Sequence, residues 1–190
     1  MNEIEEFNLI ADCIEDKKDV ILTNKIFGNI ILSFGTYGDL SKAEPQGYGL
    51  SHIIQGRYEK DKLNSTQIAT LLYLIKKIAE TADNSNIILF DKNKIVLKDN
   101  DIKVILSSNW YGDEKCKYVI SGYESIKKEK GNTDRIDKAV SIYTYALENS
   151  YLREQVGAVI SDIKRIRHKE EIVKFSHIMA EKIQELIYNA

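Results

Sequence analysis

NSTQIATLLYLIKKIAETA, residues 64 to 82, carries the clearest structural signal in this chain of 190 residues. Its apolar side chains recur every three or four positions, which predicts an amphipathic helix with one face on a core. Asn64 and Gln67 have the spacing of a capping box, so we expect the helix to begin at Ser65. The apolar stripe consists of Ile68, Leu71, Leu72, Ile75, Ile78, Ala79 and Ala82.

The periodicity changes after this helix. Short apolar and β-branched runs follow one another, and residues that favour turns separate them. The runs are 87–90, 95–97, 102–106 and 118–120. Four strands in close succession predict an antiparallel meander.

The N-terminal part adds further elements to the predicted domain. Residues 3–16 have the spacing of an amphipathic helix, and residues 20–22 and 30–34 indicate two short strands. The sequence therefore predicts an α+β fold, in which helices pack on an antiparallel sheet of four to six strands.

Beyond residue 124 the patterns are helical. A charged run at 124–133 indicates a linker or the first turns of a helix, and three apolar stripes follow it. We expect a domain over residues 1–124, which includes the helix at 3–16, and a helical C-terminal segment over 125–190. The stripes are Ile136, Ala139, Val140, Tyr143, Leu147; Leu152, Val156, Val159, Ile160, Ile163, Ile166; and Ile172, Phe175, Met179, Ile183, Leu186, Ile187.

Charge and composition limit the functional classes. The chain carries 27 basic and 29 acidic residues, so a site for a polyanion has to be local. The first six residues are acidic where a secretory signal is basic, and no apolar run approaches the roughly 18 residues of a membrane span. We expect the protein to act in the cytoplasm, either of the cell that makes it or of a target cell into which it is delivered. Cys13 and Cys116 lack metal-binding spacing and are expected to be buried thiols.

One stretch gathers residues typical of a site: EPQGYGLSHIIQGRYEKDKL, residues 44–63. Gly47 and Gly49 permit a close backbone approach just before a short helix, whose N-terminal N–H groups can bind an anion. His52 can transfer a proton near neutral pH, although a lone histidine on a short helix is more often a packed or surface residue. It points away from the side that anchors the helix, which is formed by Leu50, Ile53, Ile54 and Arg57.

The order of these features resembles a known group of domains. GYGLSHIIQGRY (47–58), the long helix, the meander and YVISGYE (118–124) resemble nuclease domains of the phage and toxin barnase, EndoU, colicin and RelE-like group. In that group a Gly-x-Gly-Leu-x-His-Ile helix precedes another helix and a sheet that ends in a small hydroxyl residue and a tyrosine. The resemblance covers roughly residues 20–124.

The resemblance implies a metal-independent endoribonuclease of toxin or phage origin that needs no cofactor. A ribose 2'-hydroxyl of tRNA or another single-stranded RNA attacks the adjacent phosphate and leaves a 2',3'-cyclic phosphate. His52 would transfer a proton, Arg57 would bind the scissile phosphate, and Ser121 and Tyr123 would face the same cleft. An immunity protein or antitoxin is an implied partner.

The same resemblance gives a set of substrate-binding candidates. Aromatic side chains can stack on bases, but those in sheets mostly belong to a core, and that alternative stays open. The candidates are Gly49, Ser51, Tyr58, Lys60, Trp110 and Tyr111.

The chain departs from the family pattern at one position. Such domains commonly carry a second histidine five residues after the first, where this chain has Arg57, which cannot act as a base. Either Tyr58, Tyr123 or Lys60 supplies the second proton function, or catalysis is weak, or the fold is kept for binding. The last case defines the alternative: a phage-encoded inhibitor or adaptor whose helical tail docks on a host protein.

The tail contains a basic run and two histidines. The basic run at residues 164–169 is followed by Glu170 and Glu171, which favours a solvated helix face over a phosphate site. His168 and His177 could reach the cleft only if the tail folds back. No nucleotide-binding loop or metal motif occurs in the sequence.

Overall fold

A computed structural model describes residues 2–39, 47–91, 93–107, 117–124 and 150–188, with side chains up to residue 182 in the last range. The sequence-predicted helices and strands before residue 125 are all present. In chain order the elements are α1 (Glu3–Asp16), β1 (Val20–Asn24), β2 (Gly28–Leu32), α2 (Gly49–Glu59), α3 (Ser65–Thr81), a 3-10 turn (Asn84–Asn86), β3 (Ile87–Asp91), β4 (Lys94–Asp99), β5 (Ile102–Ser107), β6 (Lys117–Glu124) and α4 (Ser150–Tyr188).

The six strands form one sheet in the order β1-β2-β6-β5-β4-β3. The pairs β1/β2, β3/β4, β4/β5 and β5/β6 are antiparallel, as the meander predicts. The pair β2/β6 is parallel, and between described residues it joins Ile30 to Lys117 and Ile31 to Tyr118. The α+β prediction is confirmed, and the sheet is mixed but mostly antiparallel.

Helix α3 lies at the centre of the core. Asn64 and Gln67 form the predicted capping box, with Asn64 Oδ1 accepting from the Gln67 N–H at 3.0 Å. Apolar side chains from α1, α3, the sheet and the first half of α4 share one hydrophobic cluster. The buried side chains of α4 are Leu152, Val156, Val159, Ile160 and Ile163. The division at 124/125 stays a prediction, but part of the tail completes the core of the preceding domain.

The tail departs from the prediction in one respect. Separate helices were expected over residues 152–166 and 172–187, whereas α4 continues unbroken from Ser150 to Tyr188. That expectation, drawn from the two separate apolar stripes, was wrong, because no glycine or proline lies between the stripes to end the helix. The predicted helix at 136–147 lies outside the described residues. Apolar side chains from residue 166 onward in α4 are exposed: Ile166, Ile172, Val173, Phe175, Ile178 and Met179.

No helix of the described residues combines the length and the apolar character that crossing a bilayer requires. Helix α4 has 39 residues and would be long enough, but it is too polar.

Helix α1 closes one side of the core and contains a buried cysteine. The Cys13 thiol donates to the Leu32 carbonyl oxygen at 3.4 Å, and burial raises its pKa to about 12. It is a packed, protonated thiol, as the sequence predicts. Cys116 lies outside the described residues.

Helix α2 contains a glycine that its surroundings do not require. Gly56 is buried, yet an added Cβ would meet no atom within 4 Å. Glycine inside a helix costs about 0.5–1 kcal/mol relative to alanine. We expect Gly56→Ala to raise the free energy of unfolding by about that amount in urea titrations. Gly122→Ala is the contrasting variant, because its Cβ would overlap the Ile75 side chain, and it should give no gain.

Candidate functional site

The site begins where the segment after β2 lies against the segment before α2, at Thr36 and Tyr48, a contact that we call the crossing. The Thr36 N–H donates to the Tyr48 carbonyl at 3.0 Å, and the Tyr48 N–H donates to the Thr36 carbonyl at 3.2 Å. The crossing requires glycine on both sides: Gly35 has φ +72° and Gly49 has φ +76°, and a Cβ on either would collide with the other segment. Gly49, proposed from the sequence as a substrate contact, is buried and forms this crossing.

The first turn of α2 is attached to the end of β2. The Leu50 N–H donates to the Ser33 carbonyl at 2.9 Å, and the Ser51 N–H donates to the Phe34 carbonyl at 2.8 Å. Two donors that we expected to be available to an anion are therefore used within the fold. These two N–H groups are therefore not available to an anion.

His52 lies against the crossing, with one edge of its ring enclosed. A Cβ on Gly47 would stand 2.5 Å from Nδ1, and a Cβ on Gly38 would stand 2.9 Å from the same atom. Nδ1 is buried and has no hydrogen-bond partner among the described residues, while the residue as a whole is partly exposed. Burial, followed by the charges of Lys60 and Arg57, lowers the pKa of the imidazole. The ring is therefore neutral at neutral pH.

Gln55 fixes the backbone that touches the imidazole. Its Oε1 accepts the Gly38 N–H at 2.9 Å, and both residues are largely buried. Gln55 lies three positions after His52 and thus on the same side of α2. Sequence reasoning missed both Gln55 and Gly38. The spacing to His52 was the available signal for Gln55, whereas nothing local indicated Gly38.

Arg57 connects α2 to the last strand. Its guanidinium carbon lies 5.5 Å from the centre of the Tyr123 ring, and Nη1 forms an ion pair with Asp61 at 2.5 Å. The side chain is only 15% exposed, and Nε has no partner in the described part of the chain. Five helical residues turn Arg57 about 140° away from His52. The structure thus brings Arg57 and Tyr123 together and places His52 on a different side of α2.

A β-bulge decides which face of the sheet Ser121 occupies. Ile105 pairs with Ser121, but the next residue, Leu106, pairs with Val119, so Ile120 is an extra residue in β6. In regular alternation Ser121 would share the inward face of Val119. The bulge moves it to the opposite face.

Tyr123 lies on the same face as Ser121, because residues two apart in a strand share a face. Between them, Gly122 faces α3, where an added Cβ would overlap Ile75. The two hydroxyl residues therefore lie on the outer face of the sheet, away from α3. Both are partly exposed.

The other substrate-binding candidates differ in where the structure places them. Ser51 of α2 is fully buried, so its side chain does not reach solvent. Tyr58 is partly buried against the core, with Lys164 Nζ of α4 5.7 Å from its ring centre. Lys60 is exposed at the C-terminal end of α2. Trp110 and Tyr111 lie outside the described residues.

The basic run of the tail is used largely in contacts within the fold. Arg167 Nε and Nη2 donate to the two carboxylate oxygens of Glu59 at 2.6 and 2.9 Å, which ties α4 to α2. Arg165 pairs with Asp162. His168 and His177 are exposed on a helix that does not fold back.

The arrangement offers a neutral imidazole, two cations near it, and two hydroxyls on the adjacent sheet face. It can accept a proton and neutralise an anion. In the described ranges no group of three or more histidine, cysteine, aspartate or glutamate side chains is placed to hold a metal ion.

Comparison with known proteins gives one match. The model of the family described as phage-Barnase-EndoU-ColicinE5/D-RelE like nuclease 1 matches residues 18–130, which is more than half of the chain. The match includes α2, α3 and the entire sheet, while α1 and α4 lie outside it. No curated protein and no solved structure matches the chain.

Proposed function

The chain belongs to this phage-related nuclease family, whose substrates are nucleic acids, and on that premise we propose that it is a metal-independent endoribonuclease. One observation carries the proposal. His52 is partly exposed, its Nδ1 is enclosed by Gly38 and Gly47, and its pKa is lowered. An imidazole in that state is suited to accept a proton.

His52 is the general base in this proposal. At neutral pH His52 is neutral, and with its hydrogen on Nδ1 the lone pair of Nε2 can take the proton of a ribose 2'-hydroxyl. The 2'-oxygen then attacks the adjacent phosphorus. The new O2'–P bond forms as the P–O5' bond breaks, and the product strand ends in a 2',3'-cyclic phosphate.

Other groups stabilise the charge on the phosphate and protonate the leaving oxygen. Negative charge develops on the phosphoryl oxygens, and positioned cations stabilise it. Lys60 and Arg57 are the two cations whose fields reach His52. Arg57 also contacts the Tyr123 ring, so a phosphate at the guanidinium lies close to the Tyr123 and Ser121 face. We assign the protonation of the 5'-oxygen to Tyr123 or Lys60, because Tyr58 packs against α4.

The test is RNA cleavage by the purified full chain in EDTA. We expect cleaved total RNA and product ends that carry a 2',3'-cyclic phosphate. An oligonucleotide with a single 2'-deoxyribose at the cleaved position should resist. Cleavage that requires a divalent ion, or that proceeds equally at the deoxyribose, contradicts the proposed mechanism.

A second candidate function is binding without cleavage. Arg57 favours it, because arginine replaces the expected second histidine and Asp61 already neutralises its charge. In this case the protein acts as an inhibitor or adaptor that docks on a host protein through its C-terminal helix. An inactive wild-type protein that copurifies with a stoichiometric host partner is the expected result.

A further inference from the structure

Two lysines oppose each other on neighbouring strands of the sheet. Lys98 of β4 pairs with Lys103 of β5, and Lys103 pairs in turn with Tyr123 of β6. Arg57 lies over the ring of Tyr123. These four residues form a row across three strands and onto α2, which we call the cationic row.

The cationic row lies on the outer face of the sheet. The adjacent row consists of Leu97, Val104 and Gly122, which pair with one another and are buried toward α3. Successive residues of a strand point to opposite faces, so Lys98 and Lys103 share the face of Ser121 and Tyr123. Lys98 is exposed and Lys103 is partly exposed.

The opposed lysines are unfavourable for the fold. Like charges on residues that lie directly opposite each other on neighbouring strands destabilise a sheet. Among the described residues neither lysine forms an ion pair, whereas the buried Lys76 binds Glu80. The nearest cross-strand carboxylates, Asp99 and Glu124, lie in the next row, which alternation turns to the other face. An anionic ligand on the outer face would relieve the repulsion.

We propose that the cationic row binds the phosphate backbone of a single-stranded nucleic acid and leads it to the site on α2. Strands lie about 4.8 Å apart, so the row from Lys98 to Tyr123 extends about 10 Å. The inference rests on the proposed function for the direction of the strand toward His52, and nucleic-acid binding by the row is measured separately from cleavage.

The experiment measures binding by full-length His52→Ala protein, which holds the substrate uncut. Labelled single-stranded RNA and DNA oligonucleotides are titrated at several salt concentrations, with Lys98→Glu added in one arm. We expect about tenfold weaker binding at low salt, and a log–log salt slope reduced by about 0.7 to 1.4 as one or two phosphate contacts are lost. Lys98→Glu should also raise the thermal midpoint, because a glutamate now opposes Lys103.

Lys25→Glu is the matched control. Lys25 is exposed between β1 and β2, and its replacement changes the net charge by the same amount. It should leave affinity and salt slope close to those of the His52→Ala protein. The proposal is overturned if both glutamate variants weaken binding equally, or if the protein binds neither oligonucleotide.

The outcomes separate this proposal from the proposed function. If Lys98→Glu weakens binding and Lys25→Glu does not, while the wild-type protein cuts no RNA, the results support the cationic row and contradict the ribonuclease. RNA cleavage in EDTA with equal affinities for the two glutamate variants supports the ribonuclease and contradicts the cationic row. A lower thermal midpoint for Lys98→Glu overturns the account of the opposed lysines.

Discussion

His52→Ala is expected to lower the rate of RNA cleavage by about 10²- to 10⁴-fold, the usual contribution of a positioned general base. We assign the proton transfer to the imidazole, because its lowered pKa favours the neutral form, which can accept a proton. Removing it leaves Lys60 and Arg57 to bind phosphate, so kcat should fall much more than affinity. Single-turnover cleavage of a labelled oligonucleotide, beside a binding titration, measures the two separately.

His177→Ala is the matched control for that loss. His177 is exposed on the second half of α4 and forms no part of the site. Its replacement should leave cleavage unchanged, and both alanine variants should unfold at wild-type temperatures within a few degrees. Full activity of the His52→Ala protein contradicts the assigned role, as does a loss of activity that follows a loss of fold.

The pH dependence of kcat/KM provides a further prediction. Protonation removes the base, so activity declines as the pH falls through the pKa of His52. Burial and then the Lys60 and Arg57 charges lower that pKa, which puts the acid limb below the ordinary value of about 6.5. Lys60→Gln removes one of these charges and should move the acid limb upward. A limb that does not move in this variant, or that moves downward, contradicts the assignment.

Much of the fold follows from local sequence patterns. The stripe and capping box of α3, the stripe of α1 and the alternation of strands and turns in β3 to β6 are each visible within a few residues. These signals arise because one side of each element contacts a core. The parallel pair of β2 and β6 could not be predicted, since it joins residues more than eighty positions apart without a local signature.

The site was predicted less completely because its geometry depends on distant contacts. The sequence indicated His52 and Arg57 on different sides of α2, because five helical residues correspond to a rotation of about 140°. It did not indicate that Gly38 would enclose Nδ1, since Gly38 lies fourteen residues before His52 and is placed by Gln55. The bulge at Ile120 was equally hidden, because the apolar run across it looks like a regular strand.

Among alanine substitutions at the described glycines, Gly35→Ala is expected to cause the largest loss of stability. At φ +72° an L-residue costs about 1–2 kcal/mol, and the new Cβ would also overlap the Tyr48 carbonyl oxygen. The overlapped atom belongs to the backbone, so no side-chain rotation relieves it. We expect the free energy of unfolding to fall by at least about 3 kcal/mol, a large part of the usual 5–15 kcal/mol.

The same substitution should also affect the site. The Thr36 and Tyr48 bridge holds the segment that carries Gly38 against His52, so separating the segments exposes Nδ1 to water. Hydration reduces the burial that lowers the His52 pKa, and the acid limb of kcat/KM should move toward 6.5 in whatever fraction stays folded. Measurements below the unfolding temperature keep this effect apart from the loss of folded protein.

Gly28→Ala separates backbone strain from overlap. Gly28 has nearly the same φ, +70°, but an added Cβ there meets no atom within 4 Å. It should lose only the about 1–2 kcal/mol of the left-handed conformation and keep wild-type cleavage. The difference between the two variants in urea titrations therefore measures the overlap at the crossing. Equal losses would mean that the crossing segments can move apart without cost, and the enclosure of His52 would then not depend on their close contact.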